Sequence, residues 1–203
     1  MAAEPSWQRD LRNSSRAFLE FVWPQIRDQL GGGEVIPVES VTDSAMANQL
    51  DQLGGIDVWH VRSASGIRGI GSRVQQTKVP YASFTVRKTR TSGAETEWTK
   101  RKRALDSRHG WLYPALVVQA YVEDFDRGPL LYACMASTRE LFKFAEELFS
   151  GQVWESQRNN ADGNEFAVFW ASWLKAQGVN VFEYTAPGVN PRGPRKLVRE
   201  ATQ

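Results

Sequence analysis

The length, composition and charge of the chain limit the classes of protein to which it can belong. Its 203 residues suit one domain, and a hydrophobic content of 41% is enough for a buried core, which excludes general disorder. The single cysteine, Cys134, excludes an internal disulfide and a cysteine-rich zinc site. The net charge is only +2, so a nucleic-acid partner can be indicated only by the way in which charge is distributed along the chain.

The N-terminal half of the chain predicts one long helix followed by short strands. Apolar residues recur at every fourth position from Phe18, so residues 6–30 are predicted to be helical. Pro24 lies inside this pattern and predicts a kink or the start of a second helix. Residues 43–55 predict a short helix or an ordered loop. Strands are predicted at residues 34–40, 56–62, 67–75 and 82–89, of which the second and third form a hairpin.

The C-terminal half predicts alternating helices and strands. Ser92 and Glu95 have the spacing of a capping box, which predicts a helix that begins near residue 93. The apolar run around Cys134 predicts a strand with a buried thiol. The elements in this half are predicted as strands at 115–122 and 129–137, a helix at 138–149, a polar loop at 152–164 and a strand, helix and strand over 165–184.

This order of elements predicts an α/β or α+β fold with a mixed central β-sheet flanked by helices. We expect a single domain over residues 1–185. Residues 186–203 are rich in proline, glycine and arginine and predict a basic, flexible tail. Because no stretch approaches the roughly 20 apolar residues of a membrane span and the first residues lack a secretory pattern, we expect a cytoplasmic protein with no membrane partner.

The hairpin carries the candidate site. Asp57 follows two glycines at the start of its first strand, where a carboxylate can stand in a cleft. Arg73 and Gln75 lie on one side of the second strand together with glycines, which leave space beside a sheet. The alternative interpretation is an ordinary hairpin in which Asp57 caps the strand entry and Gln75 satisfies neighbouring backbone groups.

The stretches GGIDVWHV around Asp57 and GIGSRVQ, which ends at Gln75, resemble the PD-(D/E)XK nucleases, and the resemblance covers roughly residues 10–150. It implies a restriction-endonuclease-like core of helix, three-stranded meander, helix and strand, with an Asp at the start of the second strand and Glu or Gln on the third. The family's lysine would fall at position 77, which is Thr77 here.

The resemblance also implies a metal-dependent endonuclease, in which Mg²⁺ or Mn²⁺ activates water at a phosphodiester. Asp57 and Gln75 would hold the metal, and Arg73 or Lys78 would stabilise the charge that develops on phosphorus. Two further acids, Glu20 on the first helix and Asp51 before the hairpin, are additional candidate ligands. Their alternatives are a solvated helix face and a loop carboxylate.

A basic segment follows the hairpin. Residues 86–108 carry eight basic side chains against three acidic ones, a concentration of charge that suits binding to a phosphate backbone. A solvated, charged helix face is the alternative. We expect nucleic acid, DNA rather than RNA, as the partner of these residues, and the candidate contacts are Arg87, Lys88, Arg90, Lys100, Arg101 and Arg103.

Two main functional hypotheses follow, beside a third, a small-molecule or nucleotide-binding protein, which only the glycines of the hairpin support. The first is a nucleic-acid-binding protein with a Mg²⁺-dependent nuclease site. The second is a catalytically inactive interaction or assembly protein on the same nuclease-like core, with a homodimer or another protein as partner and Trp154, Trp170 and Trp173 as its surface. Neither histidine has another metal-binding residue at the spacing typical of a metal site. His60, in an apolar strand, is therefore predicted to be a packed, hydrogen-bonded residue.

Overall fold

The fold is α+β and is built on a six-stranded mixed sheet, with the N-terminal helices on one face and a second, three-stranded sheet and the later helices on the other. A computed structural model describes residues 6–38, 54–62, 66–106, 112–143, 155–158 and 163–194. The predicted class of fold and the mixed central sheet are confirmed, while the restriction-endonuclease-like core stays a prediction. The second sheet is a feature that the sequence analysis did not anticipate.

The N-terminal helical segment is interrupted at the position that the sequence indicates. Helix α1 spans Ser6–Ala17, a π-helical turn follows at Phe18–Val22, and α2 spans Trp23–Ile26 with Pro24 in its first turn. Because proline lacks the amide hydrogen that a continuous helix needs, the widened turn before it accommodates the break. The remaining helical elements are a 3₁₀ turn at Asp28–Leu30, α3 at Glu97–Leu105, α4 at Thr138–Lys143 and α5 at Ala171–Ala176.

The strands form two sheets. The large sheet has the order β1-β2-β3-β5-β6-β9, in which only β3 and β5 pair in parallel among the described strands, and the small sheet has the order β4-β8-β7. Pro37 lies on the edge strand β1, where its missing N–H costs no sheet hydrogen bond. The strands are β1 Glu34–Pro37, β2 Val58–Arg62, β3 Gly66–Gln76, β4 Ser83–Thr89, β5 Leu116–Val122, β6 Leu130–Ser137, β7 Glu155–Arg158, β8 Glu165–Trp170 and β9 Phe182–Thr185.

Two hydrophobic cores cover the two faces of the large sheet. Phe18 and Ile26 of the N-terminal helices pack with Ile70 of β3 and Val118 of β5. The other core joins the sheet to β4, β8 and the later helices, and it contains Cys134, which is fully buried as predicted. Because successive side chains of a strand alternate between faces, the odd-numbered positions 71, 73 and 75 of β3 turn away from the N-terminal helices.

His60 confirms its predicted structural role. The ring is 1% exposed, and its Nε2 lies 2.8 Å from the carbonyl oxygen of Gly32. Arg68 donates through Nε to the other ring nitrogen, Nδ1, at 2.9 Å. Because Nδ1 accepts a hydrogen bond, the proton of the neutral ring resides on Nε2 and is donated to Gly32. The ring packs against Trp23, and His60 takes no part in the candidate site.

Helix α3 begins later than the capping box predicts. The helix starts at Glu97, and Thr96 is its N-cap, with a side-chain oxygen that accepts from the Thr99 N–H at 3.3 Å. Thr96 is buried and also donates to the carbonyl of Lys88, so tertiary contacts favour this cap. The predicted start near residue 93 is therefore wrong, because residues 91–96 form a turn and an extended approach to the helix.

Three other predictions differ from the structure. The strand predicted at 82–89 is present as β4, but it belongs to the small sheet. The polar segment predicted as a loop contains the edge strand β7, because β8 supplies its backbone partners. The predicted flexible tail begins with residues that are held in place, since Arg192 pairs with Tyr81 and Ala82 through its backbone. The described part of the chain does not include residues 39–53, 144–150 and 195–203. The predicted site residue Asp51 lies in the first of these ranges.

In the described residues, none of the helices combines the length and the apolar character that a membrane crossing requires.

Candidate functional site

A cavity of about 310 Å³ opens where the start of β2, strands β3, β4 and β5, and helix α3 meet. We call it the basic cavity, since five basic side chains line it beside two acidic ones, Asp57 and Glu97. The parallel pairing of β3 with β5 requires a crossover, and this crossover contains β4 and α3, which carry most of the positive charge. The basic residues are Arg73, Arg87, Arg90, Lys100 and Arg101.

Arg101 is the most deeply buried of these cations, with 4% of its surface exposed. Its Nη2 donates to Glu97 Oε1 at 3.0 Å and to the carbonyl oxygen of Gly55 at 3.4 Å. In the part of the chain that the structure describes, no acceptor reaches Nε or Nη1, although both atoms are buried. A buried donor without a partner costs about 1–3 kcal/mol. The arrangement therefore favours anionic acceptors at these two nitrogen atoms.

Asp57 stands at the edge of the same cavity, immediately before β2. Its Oδ2 accepts from the backbone N–H of Ser72 at 2.5 Å, and its own N–H donates to the carbonyl of Ile70 at 3.0 Å. These two bonds place Asp57 opposite Gly71, the position of β3 that lacks a side chain. The carboxylate is half-buried and lies within a cluster of cations, where it can accept hydrogen bonds or hold a cation that arrives with phosphate.

Two of the guanidinium groups share one aromatic ring. The Cζ atom of Arg73 lies 4.8 Å from the centre of the Phe166 ring, and that of Arg87 lies 5.3 Å from it. Contacts of this kind are attractive, because the ring face carries negative electrostatic potential. Phe166 therefore holds near each other two like charges that both line the basic cavity, and their repulsion favours a bound anion.

Gln75 lies away from Asp57. It stands four residues beyond Gly71 on β3, about 13 Å at ~3.3 Å per residue. It lines a second cavity of about 400 Å³, which we call the aromatic cavity because Tyr81, Tyr121, Phe166 and Trp170 contribute to its wall. Burial raises the pKa of Tyr121, so its phenol stays neutral. The structure therefore does not bring together the two residues predicted to share a metal.

The hydrogen bonds around Gln119 fix the orientation of the Gln75 amide. Gln119 is 1% exposed, and its Oε1 accepts from the backbone N–H and the hydroxyl of Thr85 at 3.4 and 2.9 Å. Its Nε2 must then be the donor, and it donates to Gln75 Oε1 at 3.0 Å. Gln75 thus uses its oxygen within the protein and has its NH₂ group to offer to a ligand. The expected metal-binding amide oxygen is engaged.

The other predicted residues separate into two groups. Four of the six expected nucleic-acid contacts, Arg87, Arg90, Lys100 and Arg101, meet in the basic cavity together with Arg73. Arg103 instead pairs with Glu95 and lines a different cavity beside α4. The remaining predicted residues, which line none of the three cavities, are Lys78 in the exposed loop after β3, Lys88 on β4 and the exposed Glu20 of the helical layer on the opposite sheet face.

The residues of the basic cavity fit a divalent cation only in part. Mg²⁺ takes oxygen ligands and is often held by one or two carboxylates together with water and substrate phosphates. Asp57 fits the role of one such carboxylate. Glu97 is already paired with Arg101, and no three His, Cys, Asp or Glu side chains of the described residues converge on a metal position. The chain by itself thus supplies an anion site more completely than a metal site.

Three residues of the site escaped the sequence analysis. Glu97 lies four residues before Arg101 on α3 and pairs with it, a spacing that stabilises helices in general, but its place in a cavity depends on the crossover. Phe166 and Gln119 carried no local signal, since an aromatic and an amide in apolar strands are equally expected in a core. Only the pairing of β5 with β3 and of β8 with β4 brings them to the site.

No protein-family model, curated protein or solved structure matches this chain.

Proposed function

We propose that this protein binds nucleic acid, with a backbone phosphate in the basic cavity. The observation that carries the proposal is the guanidinium of Arg101, which is 4% exposed and has two buried nitrogen atoms that no acceptor reaches in the described residues. A phosphate diester carries anionic oxygens, and such oxygens accept strong, charge-assisted hydrogen bonds from guanidinium nitrogen atoms. The ligand would thus complete an arrangement that the protein leaves incomplete.

The charge around Arg101 supports a polyanionic ligand. Five basic side chains against two carboxylates line the cavity, a much higher positive density than the chain's net charge of +2 implies. Arg90 is exposed and Lys100 half-buried, so both can reach phosphates that flank the one at Arg101. Backbone phosphates occur in both DNA and RNA, and the resemblance to nucleases favours DNA.

The order of elements supports the resemblance to the PD-(D/E)XK nucleases. An N-terminal helix is followed by the antiparallel meander β1-β2-β3, then by helix α3 and by β5, which pairs in parallel with β3. This is the sequence of helix, three-stranded meander, helix and strand that the resemblance implies, with β4 inserted and assigned to the small sheet. A cytoplasmic location, where such a substrate is accessible, forms part of the proposal.

Fluorescence anisotropy tests the proposal. It measures binding to labelled single- and double-stranded DNA and RNA, in EDTA and at several salt concentrations. We expect the affinity to fall steeply with salt. Arg101→Met should weaken binding by about tenfold or more and reduce the salt slope by about one. Arg127→Met removes an exposed arginine that lines none of the cavities and is the matched control. Equal losses in the two variants, or no binding by the wild type, would refute the proposal.

A second candidate function is metal-dependent hydrolysis of the bound phosphodiester, and the presence of Asp57 in the basic cavity is what favours it. Asp57 would hold Mg²⁺ or Mn²⁺ together with the phosphate, and the metal would supply an activated water. Arg73 would stabilise charge on the phosphorus, a role that its place in both cavities permits.

A cleavage assay on the same four substrates, with Mg²⁺, Mn²⁺ or EDTA, tests hydrolysis. The expected result is metal-dependent products that disappear in Asp57→Ala. Tight binding without products, unchanged in Asp57→Ala, would instead leave a catalytically inactive binding or assembly protein on a nuclease-like core.

A further inference from the structure

The aromatic cavity lies beside the basic cavity and shares part of its wall. Arg73 and Thr85 line both cavities, so the guanidinium of Arg73 stands at the boundary between them. The aromatic cavity measures about 400 Å³, a volume within the range of small-molecule sites. A ligand whose phosphate lies in the basic cavity can therefore place an attached group in the aromatic cavity.

The walls of the aromatic cavity suit a flat, apolar group with polar edges. Four aromatic side chains contribute, and Tyr81 and Tyr121 lie side by side with ring centres 6.3 Å apart and planes inclined by 54°. Trp170 and Phe166 come from the facing strand β8. Aromatic faces of this kind bind nucleobases by stacking, which tolerates every base because each has a π face.

Polar side chains also line the aromatic cavity. Gln75 has its NH₂ group to offer, because its oxygen accepts from Gln119. Gln76 and Ser83 also line the cavity and can donate or accept. Donors of this kind match the carbonyl and ring-nitrogen acceptors on the edges of nucleobases.

We propose that the aromatic cavity holds one unpaired base of the nucleic acid, whose adjoining phosphate lies on Arg101 in the basic cavity. This inference rests on the proposed function and specifies its substrate class. A base inside a duplex is stacked and paired, so it reaches such a cavity only from a single strand or after extrusion from the helix. The protein should consequently prefer single-stranded nucleic acid to a perfect duplex.

The test compares three labelled ligands of equal length in EDTA: a single strand, its duplex and an abasic sugar–phosphate strand. We expect the wild-type protein to bind the single strand about tenfold more tightly than the abasic strand. Tyr81→Leu and Gln75→Leu should each reduce affinity for the single strand and leave affinity for the abasic strand unchanged. Arg101→Met should weaken binding to both.

Tyr113→Leu is the matched control for Tyr81→Leu. Each hydroxyl accepts from an arginine, Tyr81 from Arg192 at 3.4 Å and Tyr113 from Arg139 at 3.3 Å, but Tyr113 lines none of the cavities. Tyr113→Leu should therefore bind all three ligands as the wild type does.

Equal wild-type affinity for the single strand and the abasic strand, or for the single strand and the duplex, would overturn the base-binding inference and leave phosphate binding intact. If the wild type bound no strand at all, both proposals would fall. Should Tyr81→Leu not fold, the comparison of wild-type ligands together with Gln75→Leu still decides between these outcomes.

Discussion

The guanidinium of Arg101 rests against Gly71: a Cβ atom built at position 71 would stand 2.7 Å from Arg101 Nη2 and 3.1 Å from the carbonyl oxygen of Gly55. The same glycine lies opposite Asp57, so the absence of a side chain on β3 creates the space in which the buried cation and the carboxylate share one cavity. The position therefore connects the shape of the strand directly to the proposed phosphate site.

Gly71→Ala should weaken oligonucleotide binding by roughly tenfold while the protein stays folded. The added methyl group forces Arg101 out of its place, because a contact of 2.7 Å is shorter than van der Waals distance, and the flexible end of the side chain can yield. Fluorescence anisotropy in EDTA measures the loss. Gly193→Ala, where nothing lies within 4 Å of the new Cβ, should bind normally. Unchanged binding by Gly71→Ala would mean that the position of Arg101 does not matter.

In the absence of ligand, the free energy of unfolding of Arg101→Met should equal that of the wild type or exceed it by up to about 1 kcal/mol. The same variant is expected to bind nucleic acid poorly. The substitution removes two buried donors that no acceptor reaches in the described residues, and it keeps much of the apolar stem. Urea unfolding provides the comparison. Added phosphate should raise the stability of the wild type and not that of the variant. A variant clearly less stable than the wild type would show that Arg101 has a structural role.

Asp57→Asn should bind nucleic acid roughly two- to fivefold more tightly than the wild type in EDTA. The amide oxygen can still accept from the Ser72 N–H, so the local structure persists, while a negative charge is removed from the cavity in which we propose that a phosphate binds. Asp124→Asn is the matched control, because Asp124 also accepts from backbone N–H groups, those of Asp126 and Arg127, and lines none of the cavities. Weaker binding by Asp57→Asn would indicate that the carboxylate itself contacts the ligand.

The free energy of unfolding should fall as the pH rises above ~8.5. Burial raises the pKa of the Cys134 thiol in the folded protein, whereas the thiol of the unfolded chain titrates near ~8.5. Above that pH the unfolded chain releases a proton that the folded chain retains, so the equilibrium shifts toward unfolding by up to about 1.4 kcal/mol per pH unit.

Tyr121 and Tyr132 should extend this loss above pH ~10, since burial raises the pKa of both phenols and the hydrogen bond from Tyr132 to Glu183 raises that of Tyr132 further. Urea unfolding at several alkaline pH values measures the slope. Cys134→Ala should remove the part of the loss between pH ~8.5 and ~10. A stability that stays constant or increases over this range would contradict the expected burial of these groups.

Much of the fold was predictable, because local patterns decide most of its elements. The periodicity from Phe18, the proline at position 24 and the hairpin before and after Gly66 are all properties of short segments. Strand β7 and the start of α3 were not predictable in this way. The first depends on pairing with a distant strand, and the second on a buried contact between Thr96 and Lys88.

The candidate site was predicted in part for the same reason. Asp57 and Arg73 were expected in one site, and the alternation of side chains along the strands places both in the basic cavity. Gln75 lies on the same face, but its distance from Asp57 depends on the register between β2 and β3, and the direction of its amide depends on Gln119. Neither the register nor the partner can be read from the residues near Gln75.

The single parallel pair among the described strands has a consequence for how the protein would acquire the proposed binding activity. Strands β3 and β5 can join only after the chain between them, with β4 and α3, has crossed over the sheet. Pairings between distant segments of this kind form slowly, because the entropy of closing a long loop opposes them. Since the crossover carries Arg87, Lys100 and Arg101, a partly folded chain that has formed only the β1-β2-β3 meander holds Asp57 and Arg73 without the cations above them. Affinity for phosphate should therefore be acquired late in folding, in the same kinetic step that completes the sheet.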